Sequence, residues 1–184
     1  MGGGHSKQKG KILFLGLDNA GKTSIIQRLT NKSPHTTTPT RGYQVSQLDF
    51  QDIDLIVWDI GGQQSLRSHW SDYYKNVDGI VWVIDSTDKR RMFETGLELA
   101  ALLKEEKLAG IPLLIFANKQ DLATKMEVGD IATELELHMI KDRNFQIQEC
   151  SAIYETGLSD GIHWMIDAIK NPPKKNAKKK DKFK

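Results

Sequence analysis

The chain has 184 residues, 39% of them hydrophobic, a length that suits one domain with its own core and no metal or disulfide staples. A single cysteine, Cys150, excludes an intrachain disulfide, no apolar run approaches the ~20 residues of a membrane span, and no signal-peptide apolar segment opens the chain. The net charge of +2 hides a segregation: residues 170–184 hold eight lysines against Asp181 alone, or +7, which leaves −5 on the rest. A soluble, reduced, cytoplasmic protein is expected, with an acidic body and a basic tail. Anionic lipid, nucleic acid, an acidic partner and plain solvent all remain open for that tail. No interleaving of aromatic and basic residues supports sequence-selective nucleic-acid binding.

Residues 1–10 are glycine-rich and polar, without a periodic apolar face, and read as a flexible segment. Their start, Met1-Gly2-Gly3-Gly4-His5-Ser6, fits the pattern for myristate on Gly2, although an unmodified glycine leader fits it equally. Residues 11–16 read as a first strand. The next stretch, Gly16-Leu17-Asp18-Asn19-Ala20-Gly21-Lys22-Thr23, matches G-x-x-x-x-G-K-[ST], in which glycines let consecutive backbone N–H groups face phosphate oxygens. A helix over residues 22–29 follows, with Ile25, Ile26 and Leu29 facing inward. The motif alone is also compatible with a mere turn before a helix.

Residues 31–42, rich in Thr and Pro, form a long exposed loop of the kind that carries function or only fills space. Residues 43–50 and 53–58 alternate apolar and polar positions and predict a hairpin, ending in Asp59-Ile60-Gly61-Gly62-Gln63. Residues 79–84 are almost wholly apolar, which suits a central parallel strand. Ser86, Thr87 and Asp88 offer caps to a helix running to about residue 108, and Asp85 reads as part of that cap. Residues 111–117 form another apolar strand that ends at Asn118-Lys119-Gln120-Asp121. A helix over 128–138, a strand over 144–149, the segment Cys150-Ser151-Ala152 and a helix over 158–169 complete the domain. Asn171-Pro172-Pro173 stops the last helix, and residues 172–184 read as a disordered lysine-rich tail.

Strands and helices alternate after one hairpin. The expected fold is therefore α/β, with three layers and a six-stranded, mostly parallel sheet bearing one antiparallel hairpin strand and flanking helices, similar to that of phosphate-loop nucleoside triphosphatases. Each candidate loop follows the carboxyl end of a strand, so the loops converge at one sheet edge over residues 11–171.

Together these fragments resemble the small guanine-nucleotide-binding proteins, and the tetrad Asn118-Lys119-Gln120-Asp121 separates that class from general ATPases. Within it, the readings GLDNAGKT and WDIGGQ are similar to the ADP-ribosylation-factor group. The stretches SLRSHWSDYYKNVDGIVWVIDSTDKRRM and LAGIPLLIFANKQDL look closest to the Arf-like branch associated with tubulin folding and lipid-carrying chaperones. The resemblance implies a monomeric GTPase switch in trafficking or in microtubule- and cilium-linked regulation, associated with the cytoplasm or regulated membrane contact. A nucleotide-binding module with little turnover is the alternative.

The resemblance also implies residue roles. Gly16, Leu17, Asp18, Asn19, Ala20, Gly21, Lys22, Thr23 and Ser24 would surround the phosphates of GTP or GDP, with Thr23, Thr40 and Asp59 around Mg²⁺. Gly62 would give its N–H to the γ-phosphate, and Gln63 would orient the attacking water. Asn118, Lys119, Asp121, Ser151, Ala152 and Ile153 would form the base pocket. Asp121 accepts from guanine N1–H and the 2-amino group, and adenine would leave it unsatisfied. The loop from Gly16 to Thr23 has no arginine, so slow intrinsic hydrolysis and an activating partner are implied, beside an exchange factor and effectors. Tyr43, Trp58, Trp70 and Tyr73 match an apolar effector patch, although their composition allows core positions as well.

Cys150 reads as a packing residue, and the histidines lack metal-ligand spacing. Arg41 replaces a common apolar residue, Ser24 replaces a common threonine, and residues 1–10 lack the amphipathic helix usual in the group. The group's hairpin can slide by two residues, a step that keeps inward and outward parity.

Overall fold

The structure, a computed structural model, describes residues 7–31, 40–50 and 52–172. The expected acylation at Gly2, most of the 31–42 loop and the lysine tail beyond Pro172 lie outside the described residues. Strands β1 (Gln8–Leu15), β2 (Tyr43–Asp49), β3 (Ile53–Ile60), β4 (Gly79–Asp85), β5 (Leu113–Asn118) and β6 (Phe145–Glu149) form one six-stranded sheet in the order β2-β3-β1-β4-β5-β6. Only β2 runs antiparallel to its neighbour, with Tyr43 opposite Ile60 and Leu48 opposite Leu55. The remaining pairs are parallel, as the alternation of strands and helices predicts.

Parity along the strands divides the core into two layers. Ile12, Phe14, Val81, Val83, Leu114 and Phe116 face helices α1 (Lys22–Leu29) and α5 (Leu158–Lys170), where Ile25, Ile162 and Met165 complete the layer. Leu13, Leu15, Trp82, Ile84 and Ile115 face the other way, onto Met92, Leu99 and Leu102 of α3 (Met92–Leu103) and Ile131 of α4 (Val128–Glu134). Because β4, β5 and the Ile12–Leu15 half of β1 are covered on both faces, those stretches read as continuous apolar runs.

Several boundaries differ from the sequence expectation. β1 begins at Gln8 because its main chain pairs with β3 from Ile53 onward, which recruits Gln8 to Gly10 whatever their polarity. The helix expected to run to residue 108 is α3 flanked by 3₁₀ turns at Lys89–Arg91 and Glu106–Leu108. The second turn swings Leu108 fully into the core. Helix α4 likewise ends early, because Glu136 adopts φ 51° and a 3₁₀ turn follows at Leu137–Met139.

Arg143 stabilises the broken end of α3. Its fully buried guanidinium donates to Leu103 O and Leu108 O, each at 3.0 Å, and to Ile111 O at 3.4 Å. Replacing it with alanine leaves these carbonyls without their donor. The expected loss is about 2–4 kcal/mol in urea unfolding. An unchanged midpoint would mean that water serves the carbonyls equally well.

Candidate functional site

The carboxyl end of β1 opens into the phosphate-type loop. Gly16 sits at φ 137°, and a side chain there would begin 2.3 Å from Val83 O, so β4 itself demands glycine. Gly21, at φ 101°, would direct a Cβ to 2.2 Å from Asn118 Nδ2. Leu17 and Ala20 are buried beneath the loop, which leaves their backbone, not their side chains, available on the outer side. Helix α1 starts at Lys22 with no side chain capping its first turn.

Lys22 is nearly buried, and its ammonium donates to Gly16 O at 3.0 Å and Leu17 O at 2.9 Å. Burial pushes its pKa down to about 8, against the opposing pull of Asp59 and Asp18. Thr23 Oγ1 donates to Asp59 Oδ2 at 2.5 Å, Thr40 Oγ1 lies 3.3 Å from the same oxygen, and the two hydroxyls are 3.0 Å apart. Asp59 Oδ1 is buried without a hydrogen-bond partner among the described residues. Burial raises the Asp59 carboxyl above its ordinary range, while Thr23, Lys22 and Thr40 pull the other way. Two hydroxyls and a carboxylate with a spare oxygen form a hard-oxygen set, which fits Mg²⁺ better than a softer metal.

Lys22, Thr23 and Thr40 share a cleft of about 510 Å³ lined also by Asp18, Asn19, Gly21, Ser24, Gly61 to Gln63 and Lys119, and Asp59 is bonded to its Thr23 and Thr40. Gln63 brings to it a buried Oε1 that has no partner among the described residues. Gly62 lies flat on the phosphate loop, its carbonyl accepting from Asp18 N at 3.2 Å. A Cβ there would meet Gly16 O at 2.4 Å.

Asn118 joins three loops: its Nδ2 donates to Ala20 O at 2.9 Å, and its Oδ1 accepts from Ala152 N at 3.1 Å and Cys150 Sγ at 3.6 Å. Asp121 is exposed and accepts from Ser151 Oγ at 2.7 Å, while Ile153 stands 58% exposed beside them. Lys119 lines the cleft, and the segments carrying Asp121, Ser151, Ala152 and Ile153 are tied to the phosphate loop through Asn118. Cys150 is buried and its thiol is pushed up, largely by that burial, in keeping with packing.

Two sequence expectations change. Asp85 does not cap α3: it closes a local turn at Thr87 and receives Lys119 Nζ at 2.6 Å, which holds the lysine stem across the loop. Hydrogen bonds from Lys119 and Thr87 outweigh burial and lower its pKa. Asp88 instead accepts from Arg91 N, in the 3₁₀ turn before α3. Trp70 leaves the aromatic patch for the core, 3% exposed and edge-on to Trp82. Tyr43, Trp58 and Tyr73 do cluster, with Tyr43 and Trp58 stacked at 5.0 Å and Tyr43 half exposed.

Three arginines went unmarked in the sequence because no periodicity or motif distinguishes a positioning arginine from a surface one. Arg28 donates to Ala152 O at 3.0 Å and Ile153 O at 3.1 Å. Arg91 clasps Asp18 through both its side chain and its carbonyl. Arg67 spans from Gly62 O to Glu94 and Glu98 of α3.

A profile of the ADP-ribosylation factor family matches residues 3–169. The ADP-ribosylation factor-like protein 3 of Caenorhabditis elegans is 49% identical over 166 residues, covering 90% of each chain. Its counterpart in Chlamydomonas reinhardtii is 47% identical over 169 residues, covering 91% of this chain and 96% of the relative. Among solved structures, the Arl6 BBS3 small GTPase from Trypanosoma brucei, with bound nucleotide analogue GppNp, superposes at a TM-score of 0.82 and 32% identity, covering 90% of this chain and 99% of that one. With its sheet order, loops and sequence in agreement over nearly its whole described length, this chain belongs to the ADP-ribosylation factor family of small GTPases.

Proposed function

We propose that the chain is a guanine-nucleotide switch that binds GDP and GTP with Mg²⁺, hydrolyses GTP slowly, and offers an effector surface in the GTP form. The meeting of Thr23, Thr40 and Asp59 within 3.3 Å, beside Lys22 and Gln63 in one cleft, carries this reading. Lys22 serves the β- and γ-phosphates. Thr23, Thr40 and Asp59 would hold Mg²⁺, which neutralises phosphate charge when bound. Because Thr40 and Gly62 lie on different segments, contact of both with a γ-phosphate would order the two together.

Asp121, steadied by Ser151, selects guanine. Gln63 is a water-positioning group, and its Oε1, unpartnered among the described residues, can accept a water proton. Arg67 and Arg91 reach Asp18 of the phosphate loop, but carboxylates already engage both. An activating partner that supplies positive charge is therefore part of the proposal, as are an exchange factor and effectors meeting Tyr43, Trp58 and Tyr73. The presence of Gln63 in the cleft favours turnover over a passive nucleotide-binding module. Likeness to Arf-like relatives supports a setting in trafficking or microtubule- and cilium-linked regulation. Among the described residues no helix is long and apolar enough to cross a membrane.

Nucleotide titration with GTP and ATP in Mg²⁺, followed by single-turnover hydrolysis, tests the proposal. GTP is expected to bind at least ~10³-fold more tightly than ATP, from the unpaired polar groups adenine would leave. Gln63→Leu is expected to slow hydrolysis about 10–100-fold at little cost in affinity. Equal affinities would overturn the guanine assignment. Unchanged hydrolysis in the variant would remove Gln63 from its role.

A further inference from the structure

Two adjacent glycines, Gly61 and Gly62, line the cleft beside the phosphate loop, and neither has a side chain to fix its peptide plane. Both planes are held by hydrogen bonds to their carbonyls. The Gly61 carbonyl accepts from Trp70 Nε1 at 3.0 Å. The Gly62 carbonyl accepts from Arg67 Nε at 2.9 Å as well as from Asp18 N. In a trans peptide the carbonyl of one residue and the N–H of the next point in opposite directions, and the described backbone has no cis bonds. Fixing Gly61 O therefore fixes the Gly62 N–H, and fixing Gly62 O fixes the Gln63 N–H.

The indole is itself immobile. Trp70 packs edge-on against Trp82 at 5.7 Å and 86°, and Trp82 is wholly buried with its own Nε1 donating to Thr95 Oγ1 at 3.1 Å. Arg67 is comparably held, with a side chain 7% exposed and bonded to Glu94 and Glu98 of α3. A buried indole N–H needs an acceptor, and here the acceptor is the one carbonyl whose peptide carries the Gly62 N–H.

We propose that Trp70 is a positioning residue for γ-phosphate recognition: its indole N–H, holding Gly61 O, aims the Gly62 N–H into the cleft, while Arg67 fixes the following peptide. This rests on the switch function proposed above, in which Gly62 meets the γ-phosphate. Trp70 acts without touching nucleotide, and through it the β4 core registers in the cleft.

The test replaces Trp70 alone with β-(3-benzothienyl)alanine, which keeps the bicyclic shape and lacks the N–H, with Trp70→Phe in parallel. Affinities for GDP and for GppNHp, both with Mg²⁺, are measured by displacement of a fluorescent nucleotide. The isostere is expected to hold GDP within about twofold of the parent and to lose about tenfold for GppNHp, the scale of one misdirected charge-assisted hydrogen bond. An unchanged GppNHp-to-GDP ratio overturns the proposal. So does an equal loss for both nucleotides, which would make Trp70 a packing residue only. A parent chain that binds neither nucleotide would instead remove the switch function, and the same titration reads that outcome separately.

Discussion

Lys22→Ala is expected to weaken binding of both GDP and GTP by roughly 10²–10⁴-fold, because two charge-assisted hydrogen bonds at about 1.5–3 kcal/mol each are lost. The ammonium already spans the loop between Gly16 O and Leu17 O, so a phosphate held there meets a charge that burial has stripped of water. Equilibrium displacement of a fluorescent guanine nucleotide measures the loss, and a change below about threefold would contradict the role assigned to Lys22.

The same residue predicts a pH dependence whose sign follows from its pKa of about 8 in the fold against an ordinary 10.5. Between those values the unfolded chain holds the extra proton, so the stability of the nucleotide-free protein rises with pH across that window. The stabilisation is complete above the unfolded value and is lost as pH falls through the folded one. Its span is about 3 kcal/mol, and it should vanish in Lys22→Ala, so the difference between the two chains isolates it. Nucleotide binding runs the other way. Phosphate selects the charged lysine, so affinity falls above about pH 8 and binding takes up a proton there. Calorimetry in buffers of different ionisation enthalpy checks the uptake.

Gly62→Ala is expected to abolish the preference for a γ-phosphate by about 10–100-fold, while GDP affinity stays near that of the parent. The added Cβ would stand 2.4 Å from Gly16 O and 2.5 Å from Asp18 N and Leu17 C. All three are main-chain atoms, so no side chain can give way and the 61–63 segment must lift off the phosphate loop. The GppNHp-to-GDP affinity ratio reads the effect, and a parental ratio would show that Gly62 does not meet the γ-phosphate. Gly129→Ala provides the contrast. Nothing lies within 4 Å of that Cβ, and α4 should be stabilised by up to ~1 kcal/mol.

Gly62→Ala acts on a contact between loops far apart in sequence, and the same is true of most residues that hold the site. Asn118 joins the phosphate loop to the Cys150–Ala152 segment, and Arg28 holds the latter from α1. Arg91 and Arg67 bind the phosphate loop to α3 and to the Gly61-Gly62 segment. The nucleotide contacts proposed here and the scaffold beneath them thus form one network, in which loss of a positioning residue is felt as a change of geometry.

By itself the sequence determined the order and type of the strands, the single antiparallel pair, and the meeting of five loops at one sheet edge. The physical reason is local: a doubly covered stretch of strand must be apolar, hairpin strands must alternate, and a tight phosphate-binding turn needs glycines. Only the tertiary structure decided which side chains hold those loops. Trp70 and Tyr73, three residues apart in one polar and aromatic stretch, are distinguished only by what packs against them. One meets Trp82 in the core and the other joins Tyr43 at the surface. Asp85 holds Lys119 instead of a helix cap because β4 and β5 end side by side. Arg143 is buried because the broken end of α3 leaves carbonyls that need a donor. A residue's pattern along the chain records which face is apolar, whereas its partner is set by whichever distant backbone group remains unsatisfied once the sheet has formed.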